Sequence, residues 1–157
     1  MEYTKERLVW TLLRVSMGWI FFWAFIDKLF GLGFATKAGQ SWLSGGSPTI
    51  GFLKFATKGP FMDFYKSLAG NPIVDWLFML GLLGVGISLL LGVFTRLGAG
   101  VGILMLTLMY TAGFLPPANN PFLDEHIIYI MIMIGLAFTN PGQYFNLGGW
   151  LAKIKKP

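Results

Sequence analysis

The sequence predicts an all-α integral membrane protein: a bundle of four transmembrane helices, with short amphipathic helices in one long extracytoplasmic loop between helices 1 and 2. Three observations carry this. The chain of 157 residues is 55% hydrophobic and 12% charged, about half the charged fraction of soluble domains. Apolar runs at about 8–30, 72–95, 97–115 and 121–140 have the length and composition of membrane spans. Between the first two lies a segment, 31–71, of amphipathic rather than uniformly apolar pattern. With an interfacial tail at 142–157, the whole chain, 1–157, reads as one membrane domain.

The run 71–96, NPIVDWLFMLGLLGVGISLLLGVFTR, is the plainest span. Asn71 suits a helix cap and Pro72 the first helical position, where the missing N–H does no harm. From 73 to 94 only Asp75 is charged, and it falls in the first turn, where the helix dipole favours an anion. Roughly 22 residues at 1.5 Å each reach about 33 Å, enough to cross the hydrocarbon core. Thr95 and Arg96 then close the span with a fixed positive charge. Gly81, Gly84, Ser88 and Gly92 fall near one face, a strip that lets a neighbouring helix approach closely.

The first span, WTLLRVSMGWIFFWAFIDKLF, is longer than a signal-peptide core and lacks a small-residue cleavage site. Arg14 lies about two turns in, from where a long side chain can snorkel to the near interface; Asp27 and Lys28 mark the far end. The third span, 98–114, is uncharged, and Gly98 and Gly102 suit close packing. Asn120-Pro121 repeats the cap-plus-proline start and leads into the fourth span. That span carries Asp124, Glu125 and His126 near its beginning and closes at Asn140-Pro141-Gly142. The tail, QYFNLGGWLAKIKKP, fits an anchor with aromatics in the headgroup zone and lysines in water.

Four spans put both termini on one side, with Lys5, Arg7, Arg14, Arg96, Lys153, Lys155 and Lys156. The opposite side holds Lys28, Lys37, Lys54, Lys58 and Lys66. The positive-inside rule then favours cytoplasmic termini.

A loop of roughly 40 residues is too long for an idle connection. In SPTIGFLKFATKG, Ser47 is a cap, Pro48 takes the first helical position and Gly59 is a stop. Ser47, Gly51, Lys54 and Lys58 share one face of that helix, with apolar residues on the others. In PFMDFYKSLAG, started by Pro60 and stopped by Gly70, one side carries Phe61, Phe64, Tyr65 and Leu68 and the other Asp63, Lys66 and Ser67. A weaker helix is predicted over 34–43, with Trp42 as an interface anchor. Such helices lie on the outer membrane surface and cap the bundle.

The absence of Cys excludes disulfides, thiolate metal sites and thiol catalysis, and a lone His excludes a bis-histidine haem within one chain. No metal, haem or flavin is expected in this chain, and no nucleic-acid partner. Ionisable groups within spans are costly and default to function. His126 and Glu125, with Tyr129 one turn on, and Asp27 are the candidate catalytic groups. Lys28, Lys54, Lys58 and Trp42 are the candidate substrate-binding residues. Arg14 and Arg96 are read as lipid-binding or structural charges. A His beside carboxylates exchanges protons near neutral pH. Reducing a quinone needs two electrons, two protons and donors to its carbonyls, which His126, Tyr129 and Lys28 can supply. Lys54 and Lys58 suit attraction of a small oxyanion. Duller readings stand beside these: His126 as a group bonded at a helix start, and Asp27-Lys28 as a span terminus.

The chain resembles the DoxX/DoxD membrane proteins, whose DoxD members form the membrane subunit of thiosulfate:quinone oxidoreductase. The matching stretches are LLRVSMGWIFFWAFIDKLFG, WLSGGSPTIGFLKFATKGPFMDFYKSLAGNP, GVGISLLLGVFTRLGAGVG and DEHIIYIMIMIGLAFTNPGQYFNLGGWL. The loop is the most specific of them. The resemblance implies a subunit in the plasma membrane of a prokaryote that oxidises thiosulfate to tetrathionate on the outer face and reduces quinone. It also implies a smaller, DoxA-like partner subunit. Asn146 stands where related chains often have Asp, so a role for that carboxylate does not carry over. Two other functions stay open at this point. One is a non-catalytic scaffold docking a partner through the loop. The other, ranked last, is a small transporter or lipid-binding protein, because no broken helix pair or inverted repeat is visible. The glycine faces of spans two and three suit either packing within one chain or a homodimer.

Overall fold

The computed structural model describes residues 5–119 and 121–139. Within them the chain is helical, with no strand: α1 (Lys5–Phe30), α2 (Met62–Ser67), α3 (Pro72–Leu91), α4 (Thr95–Gly113) and α5 (Glu125–Thr139). Helices α1, α3 and α4 are long and apolar enough to cross a membrane, while α5 is a shorter apolar helix over its described length. Neighbours pack in the cyclic order α1, α3, α4, α5 and back to α1. Met17, Phe21, Met79, Leu82, Val85, Leu89, Met133 and Leu136 are among the buried side chains at the centre.

The start of α3 forms as its sequence dictates. Asn71 accepts the N–H of Ile73 at 2.9 Å, and Pro72 follows as the first helical residue. Its end differs from the prediction. Gly92 takes the left-handed conformation as C-cap, Phe94 follows with φ 53°, and α4 begins at Thr95. Ser88 Oγ closes this three-residue turn by donating to the carbonyl oxygens of Val93 and Phe94. Arg96 therefore stands in the first turn of α4, exposed, rather than ending α3.

The glycines divide by neighbour. A Cβ at Gly86 would stand 2.8 Å from Phe22 backbone, and one at Gly18 2.8 Å from the backbone N of Leu90, so α1 and α3 touch backbone to backbone. Gly98 faces Ser88 of α3, whereas Gly102 faces Met133 of α5. Gly84, predicted on a packing strip, has nothing within 4 Å.

The segment 31–70 folds back over one end of these helices. The helix predicted at 34–43 is replaced by two three-residue 3-10 turns, Ala38–Gln40 and Trp42–Ser44. Gly46 N–H returns to the Ser41 carbonyl at 2.9 Å, and a side chain at Gly46 would collide with Gln40, so the chain doubles back too tightly for a continuous helix. Over 47–58 the Ser47 cap is present, its Oγ accepting the Ile50 N–H at 3.1 Å, but the turn it starts widens into a π-helical segment, Phe52–Ala56. Of the apolar side predicted for α2, Tyr65 is buried and Leu68 half-buried, while Phe61 and Phe64 remain exposed. The fourth span was predicted from 121, yet α5 begins at Glu125. The Asp124 carboxylate caps it, accepting the N–H groups of His126 and Ile127. Asn120, the stop at 140–142, Asn146 and the tail at 142–157 lie outside the described residues.

Candidate functional site

Hydrogen bonds fasten the 31–70 segment to three helices at one end of the bundle. At the end of α1, Asp27 is 1% exposed, and its carboxylate accepts the N–H groups of Phe34 and Ala35 at 3.2 and 2.9 Å. At the start of α3, Asp75 accepts the hydroxyls of Ser47 at 2.8 Å and Thr49 at 2.5 Å. At the end of α4, Lys58 N–H donates to the Ala112 carbonyl at 3.0 Å, and the Tyr65 hydroxyl meets Thr111 Oγ1 at 2.7 Å. The segment is a roof.

Beneath it lies a cleft of about 590 Å³ between α3 and α4, within the range of small-molecule sites. Val74, Leu77, Phe78 and Gly81 form one wall, and Val101, Leu104, Met105, Leu108 and Ala112 the other. Phe52, Leu53, Phe64 and Tyr65 close it from the roof. Leu77, Leu104 and Leu108 are largely exposed, so the cleft opens sideways along the apolar faces of the two helices. Among the described residues, Lys28 is the one charged residue lining it. Its Nζ lies 5.9 Å from the centroid of the Phe78 ring, within cation–π range. An ammonium against an apolar surface is costly without acceptors, so this cleft suits a ligand with a flat apolar body and a polar oxygen near Lys28.

His126 stands apart from this cleft. It is 6% exposed; Nδ1 is 2.8 Å from Asp124 Oδ2, and its ring lies 4.3 Å from that of Phe114. Phe114 in turn stacks on Phe52 at 6.2 Å, and Phe52 lines the cleft. Two aromatic rings thus separate the His126–Asp124 pair from the cavity. The candidate catalytic residues Glu125, His126 and Tyr129 do not converge on one pocket. Glu125 is exposed, His126 is buried against Asp124, and Tyr129 is half-buried against the central core.

The remaining candidates separate in the same way. Both carboxylate oxygens of Asp27 are engaged by backbone N–H groups, which makes it a loop anchor in this geometry. Lys54 and Lys58 lie exposed on the roof, with Lys54 Nζ 5.6 Å from the Phe55 ring centroid. Trp42 is half-buried, edge-on to Trp76 at 4.6 Å. Arg14 is 1% exposed, so it faces the interior of the bundle and does not snorkel along its outside. Among the described residues no three His, Asp or Glu side chains form a metal-ligand group.

Sequence reasoning missed two carboxylates. Asp75 was explained by the helix dipole alone, because Ser47 and Thr49 lie 28 and 26 residues away. Asp124 was overshadowed by the stronger cap signal at Asn120-Pro121, although an Asp two residues before a His could have marked it.

A family model described as TQO small subunit DoxD matches residues 10–154. That description makes DoxD the small subunit, whereas the sequence reading expected the partner to be the smaller chain. No curated protein and no solved structure matches. With its long apolar helices and a match along nearly its whole length, this membrane protein belongs to the DoxD family.

Proposed function

We propose that the chain is the membrane subunit of a thiosulfate:quinone oxidoreductase and that quinone binds in the cleft between α3 and α4. In this reading the bundle crosses the plasma membrane of a prokaryote four times, with α5 as the fourth crossing. Both termini are cytoplasmic, and the roof faces outward. The observation that carries the reading is an apolar cleft, open to the side, with the Lys28 ammonium at its roofed end. A lipid-soluble ring can reach it from the bilayer without crossing water.

Bound quinone would accept two electrons and two protons; two thiosulfate ions joined by a new S–S bond supply the two electrons, and surrounding water supplies the two protons. The chain's residues have separate tasks. Lys28 Nζ donates to a carbonyl oxygen, orienting the ring and favouring negative charge on that oxygen. Phe78 and Phe52 flank the apolar body. Lys54 and Lys58 attract the thiosulfate dianion to the outer surface. His126, bonded to Asp124 through Nδ1, is the candidate proton donor at this end. A DoxA-like subunit completes the assembly.

The test is thiosulfate-dependent reduction of a soluble quinone analogue by purified protein, with and without the second subunit. Lys28→Met, His126→Ala and Lys54→Ala are compared with wild type. Lys28→Met is expected to lower kcat/KM for quinone by roughly tenfold to hundredfold, the worth of one hydrogen bond from a charged group. Wild type inactive under both conditions would leave the roof as a docking scaffold.

A further inference from the structure

We propose that Asp75 is a positioning residue for the cleft: its carboxylate ties the roof segment 47–53 to α3 and fixes the height at which a flat ring compound binds. The inference rests on the quinone reading above. Asp75 is 7% exposed, and one of its oxygens, Oδ1, accepts both the Ser47 and the Thr49 hydroxyls. A helix dipole asks only for an anion near the first turn; it does not require two hydroxyls from a distant segment. Here they compensate a carboxylate that is otherwise costly to bury.

The consequences run into the cleft. Ser47 Oγ also accepts the Ile50 N–H, so the group held by Asp75 is the one that starts the turn carrying Phe52 and Leu53. Thr49 and Pro48 themselves line the cavity. The stretch 45–49 has no regular structure of its own, and Gly45 at its start has φ 87°. Backbone bonds tie Gly45 and Gly46 back to Trp42 and Ser41, and beyond them the Ser47 and Thr49 hydroxyls reach α3. On the opposite wall the roof is held independently, by Lys58 N–H on Ala112 and Tyr65 on Thr111. The roof is a strap fastened to both walls, and Asp75 is its fastening on α3.

The test measures binding of a short-chain benzoquinone to detergent-purified protein by quenching of tryptophan fluorescence, without thiosulfate. The variants are Asp75→Leu, Asp75→Asn, Thr49→Val and Ser47→Ala. Asp75→Leu is expected to weaken binding by about tenfold, the equivalent of a lost hydrogen bond to a charged group. Asp75→Asn keeps an oxygen that accepts both hydroxyls and is expected to restore binding. Thr49→Val and Ser47→Ala fall between. In turnover, KM for quinone rises while kcat and the KM for thiosulfate hold, a split that general destabilisation does not produce.

A folded Asp75→Leu with wild-type affinity overturns the inference. Where that variant fails to fold, Thr49→Val decides, since it keeps the shape and removes one hydroxyl; unchanged affinity there overturns it equally. Wild type that binds no quinone removes the cleft reading and this inference together. Wild type that binds quinone but transfers nothing from thiosulfate sinks the oxidoreductase reading and leaves Asp75 to be judged on binding alone.

Discussion

Against α1, α3 leaves no room for a side chain: added Cβ atoms at Gly86 and Gly18 would each lie 2.8 Å from backbone of the other helix. Against α4 the same helix closes at one end and opens at the other. Near the short turn joining them, Gly98 sits directly on Ser88. At the roof end the loop side chains Leu53 and Tyr65 stand between the helices, packing with Ala112 of α4 and Val74 of α3. The cleft is the space left below that wedge. Glycine thus has two uses on one helix. On the α1 side it removes a side chain so that backbones meet; at Gly81 it makes room for the Met105 side chain of the facing cleft wall. Small residues in a span show where close approach is permitted, not where it happens.

The largest effect should come from the closed seam. Gly86→Val puts a branched Cβ 2.8 Å from Phe22 backbone, which cannot swing aside, and overpacking of this kind costs about 1–3 kcal/mol or more. The expected outcome is a sharp loss of folded protein and a lower melting temperature in detergent. A variant as stable as wild type would mean that α1 and α3 do not meet at this seam.

Next comes Lys28→Met, which keeps a long side chain against Phe78 and removes the charge. Folding should be nearly unaffected and quinone reduction lowered by about tenfold to hundredfold. Equal loss of stability and activity would instead make Lys28 part of the packing.

How far these contrasts were legible in the sequence depends on range. Local signals read well. Asn71 and Pro72 set the start of α3 and Ser47 caps its own turn, because capping and φ restriction act within a few residues. Of the helix predicted from Pro60 to Gly70 only Met62–Ser67 forms. Contacts across the fold read poorly. Nothing near Asp75 announces Ser47 and Thr49, and nothing near Gly84 separates it from Gly86, although one faces open space and the other a backbone. The helix expected at 34–43 failed for the same reason. Its composition allows helix, but the return of Gly46 onto Ser41 requires a tight reversal. For the site, Lys28 was visible as an ionisable group at a span end. The cleft was not, since it exists only where α3, α4 and the roof meet.

A smaller effect is expected at Gly81→Ala. The added methyl would meet Met105 Sδ at 2.6 Å. A thioether is flexible and can turn away, so the helix should stay in place while the cleft narrows. Stability should change little, and the KM for a quinone analogue should rise by about tenfold, the lower end of what one methylene is worth in an apolar pocket. Unchanged KM, with Lys28→Met still impaired, would place the ring nearer the roof than Gly81.

The smallest effect is expected at Gly84→Leu, three residues along α3. Among the described residues, nothing outside its own helix turn lies within 4 Å of a Cβ there. If lipid covers that face, a leucine exchanges one apolar contact for another, and stability should move by no more than about 0.5 kcal/mol. The variant therefore separates the two meanings of the glycine strip. Unchanged melting temperature and oligomeric state in detergent mean that the cleft side of α3 faces lipid, as ring access from the bilayer requires. A shift from dimer to monomer would mean that a second copy covers Gly84. Access to the cleft would then run between two chains, and the activity of Lys28 would depend on the dimer.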